Sequence, residues 1–378
     1  MQFSSTKSTI VKGLLIFVIL SAGAMVGIFL WKTDQQTWTH LSRFQWKYIP
    51  VLLGLAVLRW YMDGMAFVTM ARMGTGTRLG VGRAVEIRLE GSLVANVVPV
   101  ILGTFSMHAY LLHKEKMKLS ESIALTVLRA ILPIFLFLFN IPIFFLIKTS
   151  LEGGPFFSQF IKVVSIPVII IIVFLIITLF YPHKIKSVAS TLLRWWGRIK
   201  IIHLDRIIAA EERLFQEVDQ FSKILWTYLR EKKHMLGAAL LWIFAAYVCD
   251  HLMALAMLWG FGYYPPVVNA VAYQFLIRPI IYLAPTPGGA GIWEFSYLGF
   301  FSSQHAPDSL TGVLVLIWRL MFTYIPCMVG ALCLAREFRR DKALKEMMLK
   351  KGELPEEDLE GENGEDSGSP AITGTIGG

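Results

Sequence analysis

Charge is scarce in this chain and cysteine scarcer. Asp, Glu, Lys and Arg make up only 17% of the 378 residues, while 55% are hydrophobic. The apolar residues gather in runs long enough to cross a hydrocarbon core. A soluble domain that could present a basic face is missing, so the net charge of +9 does not indicate a nucleic-acid partner. The Lys and Arg residues lie mostly between apolar runs, where they set topology. Cys249, Cys327 and Cys333 are the three cysteines, and they form no CxxC pair. That excludes a disulfide framework and a zinc site of the usual spacing. The eight histidines do not cluster with them. GxSxG, HExxH and DDxxD patterns are also missing, which removes the common signatures of a nucleophile elbow, a zinc peptidase and a metal-dependent prenyl-type transferase.

What remains is an all-α polytopic membrane protein. Full spans are legible at about 9 to 31, 48 to 71, 120 to 147, 163 to 181, 235 to 261 and 310 to 335, each near the roughly 20 residues a helix needs. The first run continues past the small residues Ala22, Gly23 and Ala24 to Trp31, which favours a retained span over a cleaved signal. Two further apolar segments, 85 to 105 and 267 to 301, are interrupted by proline and glycine. Treating both as hairpins that return to their own side puts 27 Lys and Arg on one face and 5 on the other. Arg59, Arg129, Arg278 and Arg319 fall inside apolar segments. The bias predicts cytoplasmic termini, with 72 to 84, 106 to 119 and 182 to 234 on the cytoplasmic side of a cell membrane. The two hairpins then enter from opposite faces, which is the mark of an inverted repeat. The predicted architecture is therefore about six full spans plus two opposed re-entrant or broken helical hairpins.

Residues 1 to 336 read as one integral membrane domain. It comprises a first half (1 to 148), a linking span (163 to 181), an amphipathic arm on the cytoplasmic side (182 to 234) and a second half (235 to 336). Trp195, Trp196 and Trp226 suit the arm to a headgroup zone. A basic stub and then a tail follow from 337 to 378. From Gly352 the tail has eight acidic residues and no Lys or Arg, a composition predicted to be disordered.

A broken helix survives in lipid only where it is buried in protein or lines a wet cavity. In the stretch PTPGGAGIWEF, Pro285 and Pro287 stop one arm. Gly288, Gly289 and Gly291 permit a reversal or a close approach. The arm restarting near Ile292 would offer its first amide donors to an anion. Asn96, Pro99 and Gly103 supply a cap candidate, a breaker and a flexible point in the first hairpin. Each buried charge costs about 2.5–3.5 kcal/mol on insertion scales, so Arg129, Arg278 and Arg319 should face a cavity or a partner. Arginine keeps its proton and grips phosphate or carboxylate at two points. Glu90, Asp250 and Glu294 are the internal partners on offer, and neutralisation within the protein competes with substrate contact. Arg59 and Asp63, four apart on one helix, read as a local pair. His251 reads as a satisfied core histidine.

The succession EGSLVANVVPVILGTFSMHAYLL, SESIALTVLRAI and PTPGGAGIWEF resembles the membrane region of lysylphosphatidylglycerol synthases and of their stand-alone, flippase-like relatives, over about 10 to 335. In that family the two-domain members add a cytoplasmic aminoacyl-transfer domain, and the membrane part is thought to move the lipid product between leaflets. The resemblance places the family's asparagine and proline motif on Asn96 and Pro99. Its helix arginine falls on Arg129, and its glycine-rich motif with a following acid on Pro287, Gly288, Gly289, Gly291 and Glu294. The departure from the two-domain pattern is at the end. About forty polar residues follow Arg336, too few for a transferase domain.

These readings make a lipid translocator the leading expectation, without catalytic residues, metal or cofactor. An anionic phospholipid, an aminoacyl phospholipid or a polyprenyl-phosphate lipid would be its partner, held by Asn96, Pro99, Arg129, Arg278, Pro287, Gly288, Gly289, Gly291, Glu294 and Arg319. The competing expectations are an intramembrane lipid transferase and a non-catalytic partner of a separate lipid-modifying enzyme docked through the 182 to 234 arm. A homodimer is a further candidate assembly.

Overall fold

The computed structural model describes residues 35–74, 78–97, 100–147, 204–282, 286, 288–304 and 306–350, with a few helical positions between 19 and 27. The expected spans at 9 to 31 and 163 to 181 lie largely or wholly outside the described residues, as do the start of the arm and the acidic tail. All regular structure among the described residues is helical.

A short helix α1 (Gln35–Ser42) precedes α2 (Tyr48–Ala71), whose Pro50 sits in the first turn, where a missing N–H costs nothing. The first interrupted segment gives α3 (Val81–Val97) and α4 (Val100–Lys114), with residues 98 and 99 outside the described residues. Its arms run further than the expected 85 to 105, because Leu111 and Leu112 are buried against the core and extend α4 through the expected loop. Next comes α5 (Leu119–Ile147), then α6 (Leu204–Glu231) and α7 (Lys233–Gly260). Gly262, with φ of 83°, ends α7 in the left-handed conformation that terminates many helices. The second interrupted segment gives α8 (Val267–Tyr282) and α9 (Ile292–Ser303). The chain closes with α10 (Asp308–Arg319), a π-helical turn over Leu320–Tyr324 and α11 (Ile325–Lys350). Pro326 accounts for that turn: it cannot donate to the carbonyl four residues back and its ring crowds it. The ladder widens to admit it, Ile325 N–H bonding the carbonyl of Leu320 five residues back.

Among the described residues, three stretches are long and apolar enough to cross a membrane, Tyr48–Ala71, Lys233–Gly260 and Asp308–Arg340. Their outward residues are apolar, with Val57 60%, Leu241 69% and Met328 65% exposed. This is the arrangement lipid demands, with the charges turned inward. α2 packs most extensively on α7. The other contacts are reciprocal: α3 lies on α11 while α8 lies on α5, and each hairpin's arms pack on one another. α6 spends Leu225 and Tyr228 on the protein, against α5 and α7.

Two apolar cores result. One joins Leu52 and Ala56 of α2 to the C-terminal half of α7 and to α8, α9 and α10. The other joins the far half of α2 to α3, α4, α5, α6 and the beginning of α7. Between Ala56 and Ala66 on α2, and between Tyr247 and Met253 on α7, the seam between these cores is polar.

Candidate functional site

Asp63 and Asp250 occupy that seam. Asp63 is eight residues, about 12 Å of helix rise, from the end of α2, and Asp250 is ten residues, about 15 Å, from the end of α7. Neither can reach bulk water, with side-chain exposures of 3% and 0%. Asp63 accepts from Arg88 Nε at 3.0 Å and from Arg129 Nη2. Asp250 accepts from Arg278 Nη2 and lies against Arg59 Nε. Arg59 is only 4.0 Å from Asp63, so the local pair expected on α2 is not the main contact. The reason is geometric: α7 brings Asp250 closer to the guanidinium than its own helix brings Asp63.

The hairpin tips meet beside this seam. Gly288, Gly289 and Gly291 all have positive φ, 58°, 65° and 85°, a reversal that an L side chain would strain. Gly288 N–H donates to the carbonyl of Ala95 on α3 at 3.2 Å, so the glycine turn of the second hairpin touches the end of the first hairpin's leading arm. Asn96 donates to Ser92 O at 2.7 Å and to Cys327 Sγ of α11 at 3.0 Å. Pro99 and Pro287 belong to the two breaks but lie outside the described residues.

Arg319, the last residue of α10, is 1% exposed. Its Nη2 donates to Gly288 O at 3.0 Å and its Nε lies 3.1 Å from Glu294 Oε1. Glu294 in turn accepts from Gly291 N–H at 2.7 Å through Oε2. The start of α9 was expected to await an external anion, and here a correction is needed. The chain's own Glu294 folds back onto it, satisfying an orphan donor and the positive end of the dipole. Tyr297, one turn further on, hydrogen-bonds Arg278, which ties this corner to Asp250.

Aromatic faces flank the cations: Arg278 lies over Tyr247 at 4.3 Å, Arg59 over Phe322 at 5.6 Å, Arg129 over Phe67 at 5.8 Å and Arg319 over Trp293 at 5.9 Å. Such contacts stabilise a desolvated guanidinium without neutralising it.

Glu90 does not partner Arg129, Arg278 or Arg319. It faces Arg83 at 3.2 Å, in a separate network where Arg83 also meets Glu115 at 2.7 Å and Glu337 at 2.8 Å, and Lys114 meets Glu337 at 2.6 Å. That network ties α3 and α4 to α11. His251 is buried, with Nδ1 3.3 Å from Gln274 Oε1. Arg88 and Asp63 are the residues that sequence reasoning undervalued. Arg88 was one of the 27 basic residues assigned to the cytoplasmic face. The signal that could have found it is its place in the hairpin's leading arm, the counterpart of Arg278 in the other hairpin.

Five guanidiniums (Arg59, Arg88, Arg129, Arg278 and Arg319) thus face three carboxylates (Asp63, Asp250 and Glu294), none of the eight side chains more than 18% exposed. Within this set of contacts, among the described residues, guanidiniums outnumber carboxylates by two, and the buried Glu90 and Glu121 and the nearly buried Glu337 lie outside the set. Such an interior, in an apolar-skinned helical bundle, defines a polytopic membrane protein with a charged core. Over residues 10–330 the chain matches the lysylphosphatidylglycerol synthase TM region, and it belongs to that family. It is 21% identical over 344 residues to a UPF0104 membrane protein of Archaeoglobus fulgidus, covering 88% of this chain and 100% of that protein. No solved structure matches the chain.

Proposed function

We propose that the protein translocates a lipid with an anionic headgroup between leaflets and carries out no group transfer. The observation that carries this reading is the cluster of guanidiniums held in a dry interior beside the meeting point of the two hairpins. Arginine cannot shed its proton, and about 2.5–3.5 kcal/mol per buried charge is a large sum to hold without use. An anion entering between the halves would relieve it. The residues assigned to the headgroup in this reading are Asn96, Pro99, Arg129, Arg278, Pro287, Gly288, Gly289, Gly291, Glu294 and Arg319, to which Arg59, Asp63, Arg88 and Asp250 are added.

The architecture in this reading is an inverted repeat of about six spans with both termini cytoplasmic in a cell membrane. The reciprocal packing supports it: exchanging α2 with α7, α3 with α8 and α5 with the last helices turns the α3–α11 contact into the α8–α5 contact. The ion pairs follow the same exchange, since Asp63 holds the arginine of the hairpin arm that follows it, Arg88, and Asp250 holds Arg278. One departure from the exchange carries mechanism. Arg129 engages Asp63, whereas its counterpart Arg319 has turned to Glu294, and Asp250 takes Arg59 from the opposite half instead. Arg59, 4.0 Å from Asp63, needs only a small movement to change partner. The two halves would trade these arrangements as the headgroup crosses.

Mass spectrometry of lipid retained in mild detergent tests the binding half of this reading. Anionic lipid should be enriched over the bulk membrane with the wild type and lost with Arg319→Gln. Retained lipid that mirrors the bulk composition in both proteins would refute it.

A further inference from the structure

We infer that Glu90 and Glu337 form a carboxyl pair that shares one exchangeable proton, and that this proton holds the first hairpin against α11. The pair belongs to the second charged network, apart from the cations of the seam. Faces with seven-residue spacing bring it together. Arg83 and Glu90 on α3 meet Gly330 and Glu337 on α11, since residues seven apart lie on one side of a helix. Gly330 sets how closely: a Cβ there would lie 2.3 Å from Leu89 O and 3.2 Å from Glu90 N, so the two backbones are in contact where Glu90 leaves α3.

Glu90 is 0% exposed. Its Oε1 accepts from Arg83 Nη1 at 3.2 Å, a donor also directed at Glu86 at 3.2 Å. Its Oε2 is buried and, among the described residues, has no donor. The Glu337 carboxyl faces Glu90 within hydrogen-bonding reach. Two carboxylates cannot hydrogen-bond each other and, side by side in an enclosed site, they repel; one proton between them turns the repulsion into a bond. The partners decide which oxygen carries it. Glu337 Oε1 accepts from Lys114 Nζ at 2.6 Å and its Oε2 from Arg83 Nη2 at 2.8 Å, so Glu337 is held as the anion. The proton therefore sits on Glu90 Oε2 and is donated to Glu337. The other groups around the pair do not change this. α3 also presents Glu86, α4 presents Glu115, which takes Arg83 Nε at 2.7 Å, and α11 presents Cys333 and the exposed Arg336. α2 spends Arg59 and Asp63 on the seam. The half-exposed Glu86 and the partly exposed Glu115 mark the proton's way to water. Once it leaves, two anions face each other and α3 and α4 part from α11, so docking weakens as pH rises, the docked state binding the extra proton. α8, which the proposed exchange of halves sets opposite α3, has no Asp or Glu, so the device is confined to one half. Such a one-sided proton site would let a proton gradient drive exchange, a consequence that rests on the translocator reading, whereas the docking does not.

The test uses the full chain in liposomes of phosphatidylcholine and phosphatidylglycerol. Infrared difference spectra between about pH 5 and about pH 9 should show a protonated-carboxyl band that titrates, is lost in Glu90→Gln and is kept in Glu86→Gln. If Glu90→Gln does not fold, Glu90→Asp should shift the band instead. In a version without native cysteines, spin labels on Tyr110→Cys of α4 and Phe338→Cys of α11, both exposed positions, read the docking. Their separation should be single at the acid end and gain a longer population as pH rises, while Glu90→Gln should keep the short separation throughout. No titrating band assignable to Glu90 would overturn the pair, and a band without any change in separation would overturn its hold on the hairpin. Exchange of fluorescent-tailed phosphatidylglycerol under an imposed pH gradient runs as a separate arm. It should respond to the gradient in the wild type and lose that response in Glu90→Gln. Wild-type exchange that ignores the gradient would remove the coupling. No exchange at all, with band and separation still titrating, would remove the translocator and leave the proton site.

Discussion

Asp63→Asn isolates what the seam contributes to stability. The amide keeps the size of the carboxylate and removes only its charge, at a side chain 3% exposed. Arg88, at 3.0 Å, and Arg129 then lose their carboxylate, while Arg59 keeps Asp250. Leaving a buried charge without its partner costs about 3–5 kcal/mol. The cost should fall at that level, because among the described residues Arg88 keeps the Ser92 hydroxyl and Arg129 a cation–π face, neither of which, with the neutral amide, supplies a negative charge. Glu86→Gln is the comparison: Glu86 is 48% exposed and 3.2 Å from Arg83, a pair of the exposed kind worth about 0–1 kcal/mol. Unfolding of the purified proteins in mixed micelles, titrated with a denaturing detergent, reads both. Adding Arg129→Gln to Asp63→Asn should recover about 1 kcal/mol, a coupling typical of residues in one network. The reasoning fails if Asp63→Asn costs no more than Glu86→Gln, or if the double variant is less stable than the single.

Other expectations concern backbone and topology. A Cβ on Gly330 would lie 2.3 Å from the carbonyl oxygen of Leu89 and 3.2 Å from Glu90 N. Backbone cannot yield as a side chain can, so Gly330→Val should push α11 off α3 and destabilise by about 1–3 kcal/mol or more, read by the same unfolding titration. Gly289→Val, at φ of 65°, should abolish lipid exchange with membrane insertion intact; full activity would show that the hairpin turn does not need its left-handed backbone. In a version without native cysteines, Ser187→Cys should resist an impermeant thiol reagent in intact cells and Ser158→Cys should react, and the opposite pattern would reverse the membrane orientation.

Apolar run length was the most informative signal in the chain. It marks α2 at 48 to 71, where the structure begins and ends the helix at the same residues, and α5 and α7 within two residues at either end. Run length also shows where it fails. α4 continues nine residues past the expected 105 because Leu111 and Leu112 pack in the protein core rather than against lipid, and Ser106 and His108 before them interrupt the run. The glycines mark the turn before α9, where Gly288, Gly289 and Gly291 take positive φ, since glycine acts through local backbone geometry. Ion-pair partners were legible only in part. The scarcity of buried acids pointed to Asp250 and Glu294 as internal partners but did not say which arginine each takes, and the choice of Asp250 over Asp63 by Arg59 depends on the packing of α2 against α7. A contact between helices far apart in sequence leaves no local spacing to read. The closing of the α9 amide end by Glu294 was available in principle, as a residue three positions after the Gly291 cap.

Leaflet exchange in liposomes bearing the purified protein is the most direct test of the central claim, that buried guanidiniums carry an anionic headgroup across. Exchange of a phosphate-bearing lipid should exceed that in empty liposomes, with no aminoacyl transfer. Arg319→Gln should abolish most of the gain, and Arg319→Lys should restore only part of it, since a point charge replaces a two-point fork. Arg59→Gln should also slow exchange, because Arg59 bridges the two halves through Asp250. Should phospholipids and polyprenyl phosphates, tried under imposed voltage and proton gradients, cross no faster than in empty liposomes, the translocator account would be contradicted, and the protein would instead be sought as the membrane partner of a separate lipid-modifying enzyme.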